Sequence, residues 1–190
     1  MAMPIRPPQP PLSDGVVMLR QWGQKGDVEA ITAACNDPAI AEFLDLLPSP
    51  YTADDARVYI AHCREGWADG TMTNFAIASE SGDAIGSIGV RWLEPDQGVA
   101  EVGYWVAPEA RGNGVCTRAL RLVSRWVLQD CGMERLQLRA DELNLASRKV
   151  AENAGFTQEG ILRSSRFNPR RGRRVDFVMY SLLRDELEAR

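Results

Sequence analysis

Residues 102–120, VGYWVAPEARGNGVCTRAL, change from a strand pattern to a glycine loop and then to a helix pattern. Pro108 ends the apolar strand run, Gly112 and Gly114 flank a single asparagine, and helical spacing of apolar residues begins at Val115. The first N–H groups of a helix lack intrahelical acceptors, and the helix dipole is positive at that end. Glycines also let a loop adopt positive φ and let a ligand approach the backbone. The stretch therefore predicts a binding site for an anionic group such as a phosphate.

The elements on either side of this loop predict a crossover unit. Val99–Val106 has the pattern of a strand, Val115–Gln129 that of a helix with one apolar face, and Leu136–Ala140 that of a second strand. A connection through a helix makes the two strands parallel. Short turns after Asn74–Ser79 and Ala84–Leu93 predict an antiparallel meander that leads into this unit.

The rest of the chain completes a mixed α/β (α+β) sandwich. We expect a first strand at Val16–Arg20, a helix capped by Asp27, a short apolar segment at Ile40–Leu47 and a helix that opens at Thr52. Asn144 is expected to cap a helix that runs to Ala154. Two last strands, Phe156–Leu162 and Arg174–Leu182, are joined by a basic turn.

Length and composition indicate a single intracellular domain. With 190 residues and 21.0 kDa, we expect one domain at 15–190, preceded by a proline-rich extended arm at 1–14. The formal net charge of −4 argues against general nucleic-acid binding. No apolar run approaches the roughly 18 residues of a membrane helix, and the start lacks the apolar core of a signal peptide. The four scattered cysteines are expected to be reduced, which favours a cytoplasmic location.

Four segments in order resemble the GNAT acetyltransferases, and within them the RimJ/RimL-like N-terminal protein acetyltransferases. They are Ala100–Val106, Arg111–Gly114, Asn144–Phe156 and Asp176–Glu186. The resemblance implies the GNAT fold, a mixed and mostly antiparallel central sheet with a splayed parallel strand pair, flanked by helices. It also implies that acetyl-CoA is the cosubstrate.

The resemblance assigns cofactor-binding residues along the loop and beyond it. The pyrophosphate of acetyl-CoA is expected at Arg111, Gly112, Asn113, Gly114, Val115, Cys116 and Thr117. Cys116 departs from the family pattern, which has Gly or Ala there; because cysteine is small, we expect binding to be kept. The pantetheine arm is expected to pair with backbone groups near Val106 and to contact Asn144, which also suits a helix cap.

Two residues are candidate catalytic groups. Ser147 is either a small polar residue in a first helical turn or, by the resemblance, a proton donor to the leaving thiolate; other family members use a Tyr in this helix, and none occurs between Asn144 and Gly155. Glu101 is either a structural carboxylate or a general base, directly or through water. An N-terminal amine, with a pKa of about 7.7–8.0, needs only a weak base.

Other features carry weaker interpretations. His62 is expected at the surface or in helix packing, covalent catalysis at Cys116 is not expected, and no residues have metal-ligand spacing. The arginines of residues 163–174 form either a solvated turn or a patch for an acidic protein or ribosomal RNA. Asp54, Asp55 and Glu65 in the first helices could instead attract a cationic amine.

The function expected from the resemblance and these residues is direct acetyl transfer from acetyl-CoA to an amine. The N-terminal α-amino group of a protein or peptide is the favoured acceptor. A small amine (aminoglycoside, polyamine or amino acid) is the alternative, and a non-catalytic acyl-CoA-binding regulatory module is an alternative of another class. No membrane partner is expected, and the chain is compatible with a homodimer.

Overall fold

In the computed structural model, which describes residues 7–188, the strands form one eight-stranded sheet in the order β1-β2-β3-β4-β5-β6-β8-β7. Neighbouring strands are antiparallel except for β5 and β6. The strands are β1 (Leu12–Ser13), β2 (Met18–Gln21), β3 (Met72–Ala78), β4 (Ala84–Glu94), β5 (Val99–Val106), β6 (Arg135–Asp141), β7 (Thr157–Asn168) and β8 (Arg173–Leu183). The predicted mixed α/β fold with a meander, a crossover and a terminal hairpin is confirmed.

Helices cover both faces of this sheet. They are α1 (Asp27–Cys35), α2 (Pro38–Phe43), α3 (Ala53–Asp69), α4 (Val115–Arg125), α5 (Leu145–Ala154) and α6 (Arg184–Glu188). The apolar side of α4 packs with Ala100 and Val102 of β5 in the main core. A second cluster joins α1 and α3 to the opposite face through Ala76 and Trp105. None of the helices in the described range is both long and apolar enough to span a bilayer.

Alternation along β5 sends neighbouring side chains to opposite faces of the sheet. Tyr104 follows Ala100 and Val102 toward α4 and α5, whereas Trp105 packs against α1 and α2. Glu101 and Gly103 therefore share the face of Trp105. This sorting places the two candidate catalytic groups, Glu101 and Ser147, on different sides of the sheet.

The parallel pair is short, because β5 and β6 pair only at Val99↔Arg135, Ala100↔Leu136 and Glu101↔Gln137. Beyond Glu101, β5 stays paired with β4 as far as Val106, while β6 turns to β8. The strands thus diverge into a gap. The splayed parallel pair that the resemblance implied is confirmed.

Local signals explain most of the helix ends, with one correction at Asp27. Thr52 and Asp55 form a reciprocal capping box at the start of α3, and Asn144 Oδ1 accepts the N–H of Ser147 at 3.0 Å, as predicted. Asp27 was expected to cap α1 but is its first residue and is buried. Its carboxylate binds Arg20 at 2.7 Å and the N–H of Gly23 at 2.8 Å, since a buried carboxylate needs several donors.

Other boundaries differ from the sequence-based expectation. The segment expected at Ile40–Leu47 is the helix α2, which starts earlier because Asp37 caps it and Pro38 suits a first helical position. After Arg125, the helix α4 widens into a π-helical turn at Trp126–Asp130. Leu12–Ser13 pairs with β2 at the sheet edge. The division into an arm at 1–14 and a domain at 15–190 stays a prediction, and residues 1–6 of that arm lie outside the described range.

Candidate active site

The glycine loop has the geometry of an anion site. Gly112 and Gly114 have φ values of 79° and 72°, and a Cβ built on either one meets no atom within 4 Å. The α4 helix starts directly after Gly114, so the N–H groups of Val115, Cys116 and Thr117 have no acceptor within the helix. Bare backbone and unpaired N–H groups at a positive helix end fit a pyrophosphate.

Arg111, at the start of the loop, has partners other than a phosphate. Its guanidinium donates to Asp37 Oδ1 at 2.6 Å and to the carbonyl of Val106 at 3.2 Å. Its own backbone N–H donates to the carbonyl of Pro108. This arrangement ties the loop to the N-terminus of α2. The assignment of Arg111 to the pyrophosphate stays a prediction, and residues 112–117 supply the backbone part of the predicted phosphate site.

The gap between β5 and β6 supplies unpaired backbone next to this loop. From Val102 to Val106, β5 has a strand partner on one side only, so its groups that point toward β6 have no ladder partner. An extended amide chain can pair with such an edge. The Val106 carbonyl already accepts a hydrogen bond from Arg111. Pairing of the pantetheine arm with the other backbone groups near Val106 stays a prediction.

On the α5 side of the gap, two hydroxyl groups meet. The Tyr104 hydroxyl donates to the carbonyl oxygen of Ser147 at 3.0 Å and lies 3.1 Å from Ser147 Oγ. Burial raises the pKa of Tyr104 well above its usual value, so the hydroxyl remains a protonated donor at neutral pH. Sequence reasoning missed Tyr104. Strand alternation indicated its face, but only the tertiary contact with the first turn of α5 shows that it reaches Ser147.

Glu101 lies on the opposite side and is held by two arginines. Arg91 Nη2 contacts it at 2.6 Å, and Arg139 contacts it at 2.6 Å through Nε and at 2.9 Å through Nη2. Burial acts to raise the pKa of Glu101, but the hydrogen bonds from Arg139 and Arg91 outweigh it and hold the pKa below the usual range. A base needs proton affinity that this pairing removes. The pairing with Arg91 and Arg139 therefore favours the structural alternative, and the role of Glu101 as a general base stays a prediction.

Cys116 lies in the first turn of α4 beside Tyr104. Burial raises the pKa of its thiol to about 12, so it carries no thiolate at neutral pH. A protonated thiol is a poor nucleophile. The absence of covalent catalysis at this partly exposed residue stays a prediction. His62 is exposed on α3, and residues 7–188 contain no cluster of three or more His, Cys, Asp or Glu that could hold a metal ion.

Three arginines of the β7–β8 hairpin bind neighbouring segments instead of forming a uniform free patch. Arg171 binds Glu42 at 3.0 Å and Asp141 at 2.8 Å, Arg166 binds Asp45 at 2.6 Å, and Arg170 donates to the carbonyl of Leu47. These contacts clamp the α2 segment, residues 37–47, to the hairpin and to the end of β6. The clamp builds one wall beside the gap, which neither sequence-based interpretation anticipated.

The acidic residues of the first helices are also engaged. Asp54 pairs with Arg57 at 2.6 Å, and Asp55 completes the capping box with Thr52. Only Glu65 of the three proposed cation-attracting residues keeps an exposed carboxylate with no role in capping or pairing among the described contacts. A cluster for a cationic amine is therefore not formed on this helix.

Comparison with known proteins gives one family match that covers most of the chain. The acetyltransferase (GNAT) domain model matches residues 17–157. YdaF of Bacillus subtilis strain 168 is 30% identical over 154 residues, covering 80% of this chain and 82% of that protein. YdaF is provisionally named a ribosomal N-acetyltransferase.

Solved structures share the same architecture. A crystal structure described as a probable acetyltransferase is 28% identical, with a TM-score of 0.80 over 92% of this chain and 96% of that one. RimL, a ribosomal L7/L12 alpha-N-protein acetyltransferase in complex with coenzyme A, is 21% identical, with a TM-score of 0.81 over 93% of this chain and 98% of that one. At that identity the RimL match shows the fold.

Proposed function

Since this chain belongs to the GNAT acetyltransferase family and uses acetyl-CoA as its cosubstrate, we propose that the amine it acetylates is the N-terminal α-amino group of a protein or peptide. Acetyl-CoA supplies an activated acyl thioester. The residues around the gap between β5 and β6 bind the cosubstrate, orient the acceptor and deliver a proton to the departing thiol.

Binding is assigned mainly to backbone. The N–H groups of residues 112–117 are the proposed donors to the pyrophosphate, and the free edge of β5 near Val106 is the proposed partner for the pantetheine amides. The Asn144 carbonyl caps α5, which leaves its amide nitrogen to donate to the same arm. A cosubstrate held by backbone tolerates Cys116 in the loop, because its side chain is small and only partly exposed.

The acceptor is proposed to enter from the face that carries Glu101, Gly103 and Trp105. Gly103 is exposed there, and a Cβ built on it meets no atom within 4 Å. An α-amino group has a pKa of about 7.7–8.0, so a useful fraction is neutral at physiological pH and needs no strong base. This agrees with a Glu101 that is paired rather than basic.

Proton delivery to the departing thiol is assigned to the pair of hydroxyl groups on the other side. Ser147 is the proposed donor, and Tyr104 is the proposed positioning residue, because its hydroxyl donates to Ser147 and stays protonated. A thiol has a pKa of about 8.5, so its departure needs only modest help. Each hydroxyl is therefore expected to contribute a small factor.

The observation that favours a protein N-terminus over a polyamine or aminoglycoside is the occupation of the carboxylates on the acceptor face. Glu101 binds Arg91 and Arg139, Asp141 and Glu42 bind Arg171, and Asp45 binds Arg166. A polycationic ligand needs unpaired carboxylates, and none of these four is unpaired. A single α-amine needs none, because it binds as a neutral nucleophile. The names of YdaF and RimL point the same way.

A panel of amines tests this proposal. Release of free thiol from acetyl-CoA is measured with short peptides that have free N-termini, with the same peptides after N-terminal blocking, and with spermidine, kanamycin and free amino acids. We expect turnover with the free peptides and none with the blocked ones. Turnover confined to spermidine, kanamycin or free amino acids would instead support the small-amine alternative.

A further inference from the structure

Two guanidinium groups lie on the acceptor face, where they border the gap. Arg91 comes from β4 and Arg139 from β6, and both contact Glu101 of β5 between them. The Arg91 side chain is 57% exposed and that of Arg139 is 39% exposed, whereas the Glu101 side chain is only 10% exposed. The carboxylate is thus buried beneath two cations that still face solvent.

One of these cations exceeds what Glu101 requires. Arg139 alone binds both carboxylate oxygens, through Nε and Nη2, in the bidentate geometry that suits a guanidinium and a carboxylate. Arg91 adds a single contact through Nη2. An exposed ion pair of this kind contributes little to stability. With two arginines and one glutamate, the cluster carries a net charge of about plus one. A structural role for Glu101 requires only Arg139 and does not account for Arg91.

Several donors of this cluster are left over. An arginine has five N–H donors. Among the contacts of the described residues, Arg91 uses one donor and Arg139 uses two, all toward Glu101. Gln137, the remaining polar neighbour, directs its amide to the same carboxylate at 3.4 Å. The Nη1 groups of both arginines and the Nε of Arg91 remain available for an incoming anion.

The position of the cluster links it to the acceptor. Pairing of β5 with β6 ends at Glu101↔Gln137, so Arg139 lies two residues beyond the last pair, beside the start of the gap. Gly103, the exposed residue of the proposed acceptor entrance, follows Glu101 on the same face. An amine that reaches the gap from this side brings its neighbouring groups past Arg91 and Arg139.

We propose that Arg91 and Arg139 form a carboxylate-binding subsite that selects acceptors with a negative charge close to the reacting amine. This inference rests on the proposed function and names the class of its acceptor. The carboxylate has two chemical sources, an acidic side chain within the first residues of a peptide or the α-carboxylate of a free amino acid. The cluster cannot favour a lysine-rich or polyamine acceptor, because it carries the same sign of charge.

The test compares matched acceptors on the same protein. Peptides Ser-Glu-Ala-Ala, Ser-Gln-Ala-Ala and Ser-Lys-Ala-Ala, amidated at the C-terminus, differ only in the charge of the second residue, and serine against serinamide isolates the α-carboxylate. We expect the acidic peptide, or serine, to exceed its neutral partner about tenfold in kcat/KM, since charge-assisted hydrogen bonds are stronger than neutral ones. Calorimetric binding of the same acceptors in the presence of CoA should show the same order.

Variants locate the selectivity. Arg91→Gln should reduce the preference to within about twofold, Arg91→Lys should keep part of it, and Arg91→Glu should shift it toward the lysine peptide. Arg125→Gln, an exposed arginine of α4 on the other face of the sheet, should keep the tenfold preference. Thermal melting of each variant confirms that it is folded.

The outcomes distinguish a failure of the carboxylate-binding subsite from a failure of the proposed function. Acetylation of the three peptides at equal kcat/KM, with serine equal to serinamide, would overturn the subsite and leave the proposed function intact. A preference that survives Arg91→Glu would also overturn it. Binding of acetyl-CoA without acetylation of any peptide would instead overturn the proposed function.

Discussion

Replacing Glu101 by Gln separates a structural carboxylate from a catalytic base. The substitution removes a buried charge that accepts hydrogen bonds at 2.6 Å, 2.6 Å and 2.9 Å from Arg91 and Arg139. Hydrogen bonds to charged groups contribute about 1.5–3 kcal/mol each when buried. Both arginines are partly exposed, and the Gln oxygen still accepts one bond, so screening reduces the expected loss to about 1–2 kcal/mol in total.

For a domain of this length, a loss of that size lowers the Tm by about 2–8 °C. Removal of a general base would instead lower kcat by about 10²–10⁴-fold. We expect Glu101→Gln to lower the Tm by this amount and to lower kcat by less than about tenfold, as measured by differential scanning fluorimetry and thiol release. Glu80→Gln, at an exposed turn, is the matched control. An unchanged Tm together with a kcat that is at least 100-fold lower would refute the reasoning and restore Glu101 as the base.

Five further substitutions probe the rest of the site and one ion pair of the fold. Ser147→Ala and Tyr104→Phe should each lower kcat by less than about tenfold, and the double variant should be no worse than the more severe single one, because the hydroxyls act as one unit; a multiplicative loss would contradict this. Cys116→Ala should retain kcat, and intact-protein mass spectrometry should find no acetylated enzyme, since the thiol pKa is about 12. Gly103→Val should raise the acceptor KM and leave the acetyl-CoA KM unchanged, since its side chain would project into the proposed entrance; equal changes in both would argue against that entrance. Hydrogen bonds from Arg135 lower the pKa of Glu159 from 4.5 to about 2, so its contribution to stability is complete above about pH 4.5 and is lost as the pH falls through about 2. The destabilisation by Glu159→Gln, measured by urea unfolding, should therefore shrink between those pH values and stay constant above them.

Most of the scaffold could be predicted because its signals are local. The bounds of β5, the start of α4 after Gly114 and the cap of α5 at Asn144 all follow from periodicity, glycine placement and capping chemistry. The parallel pairing of β5 and β6 followed from the helix that connects them. Such features depend on residues that are close in sequence.

The contacts that the sequence did not indicate arise where distant side chains meet. Glu101 lies 38 residues from Arg139, and a lone carboxylate in a strand gives no sign of two arginines that will neutralise it. Arg111 reaches Asp37 across 74 residues, so a predicted phosphate ligand also links the loop to α2. The clamp that Arg171 forms with Glu42 and Asp141 is of the same kind. A sequence pattern shows the charge of a residue, but tertiary structure decides its partner.

The central claim is that this GNAT enzyme modifies an α-amino group, and one peptide tests it directly. A peptide with a free N-terminal Ser, an acidic second residue and an internal Lys is incubated with deuterated acetyl-CoA and the enzyme. Tandem mass spectrometry then locates the label. The account predicts labelling of the N-terminal amine, with the lysine side chain unmodified and one thiol released per acetyl group transferred. Label on the lysine side chain, or no label while spermidine is acetylated under the same conditions, would contradict it.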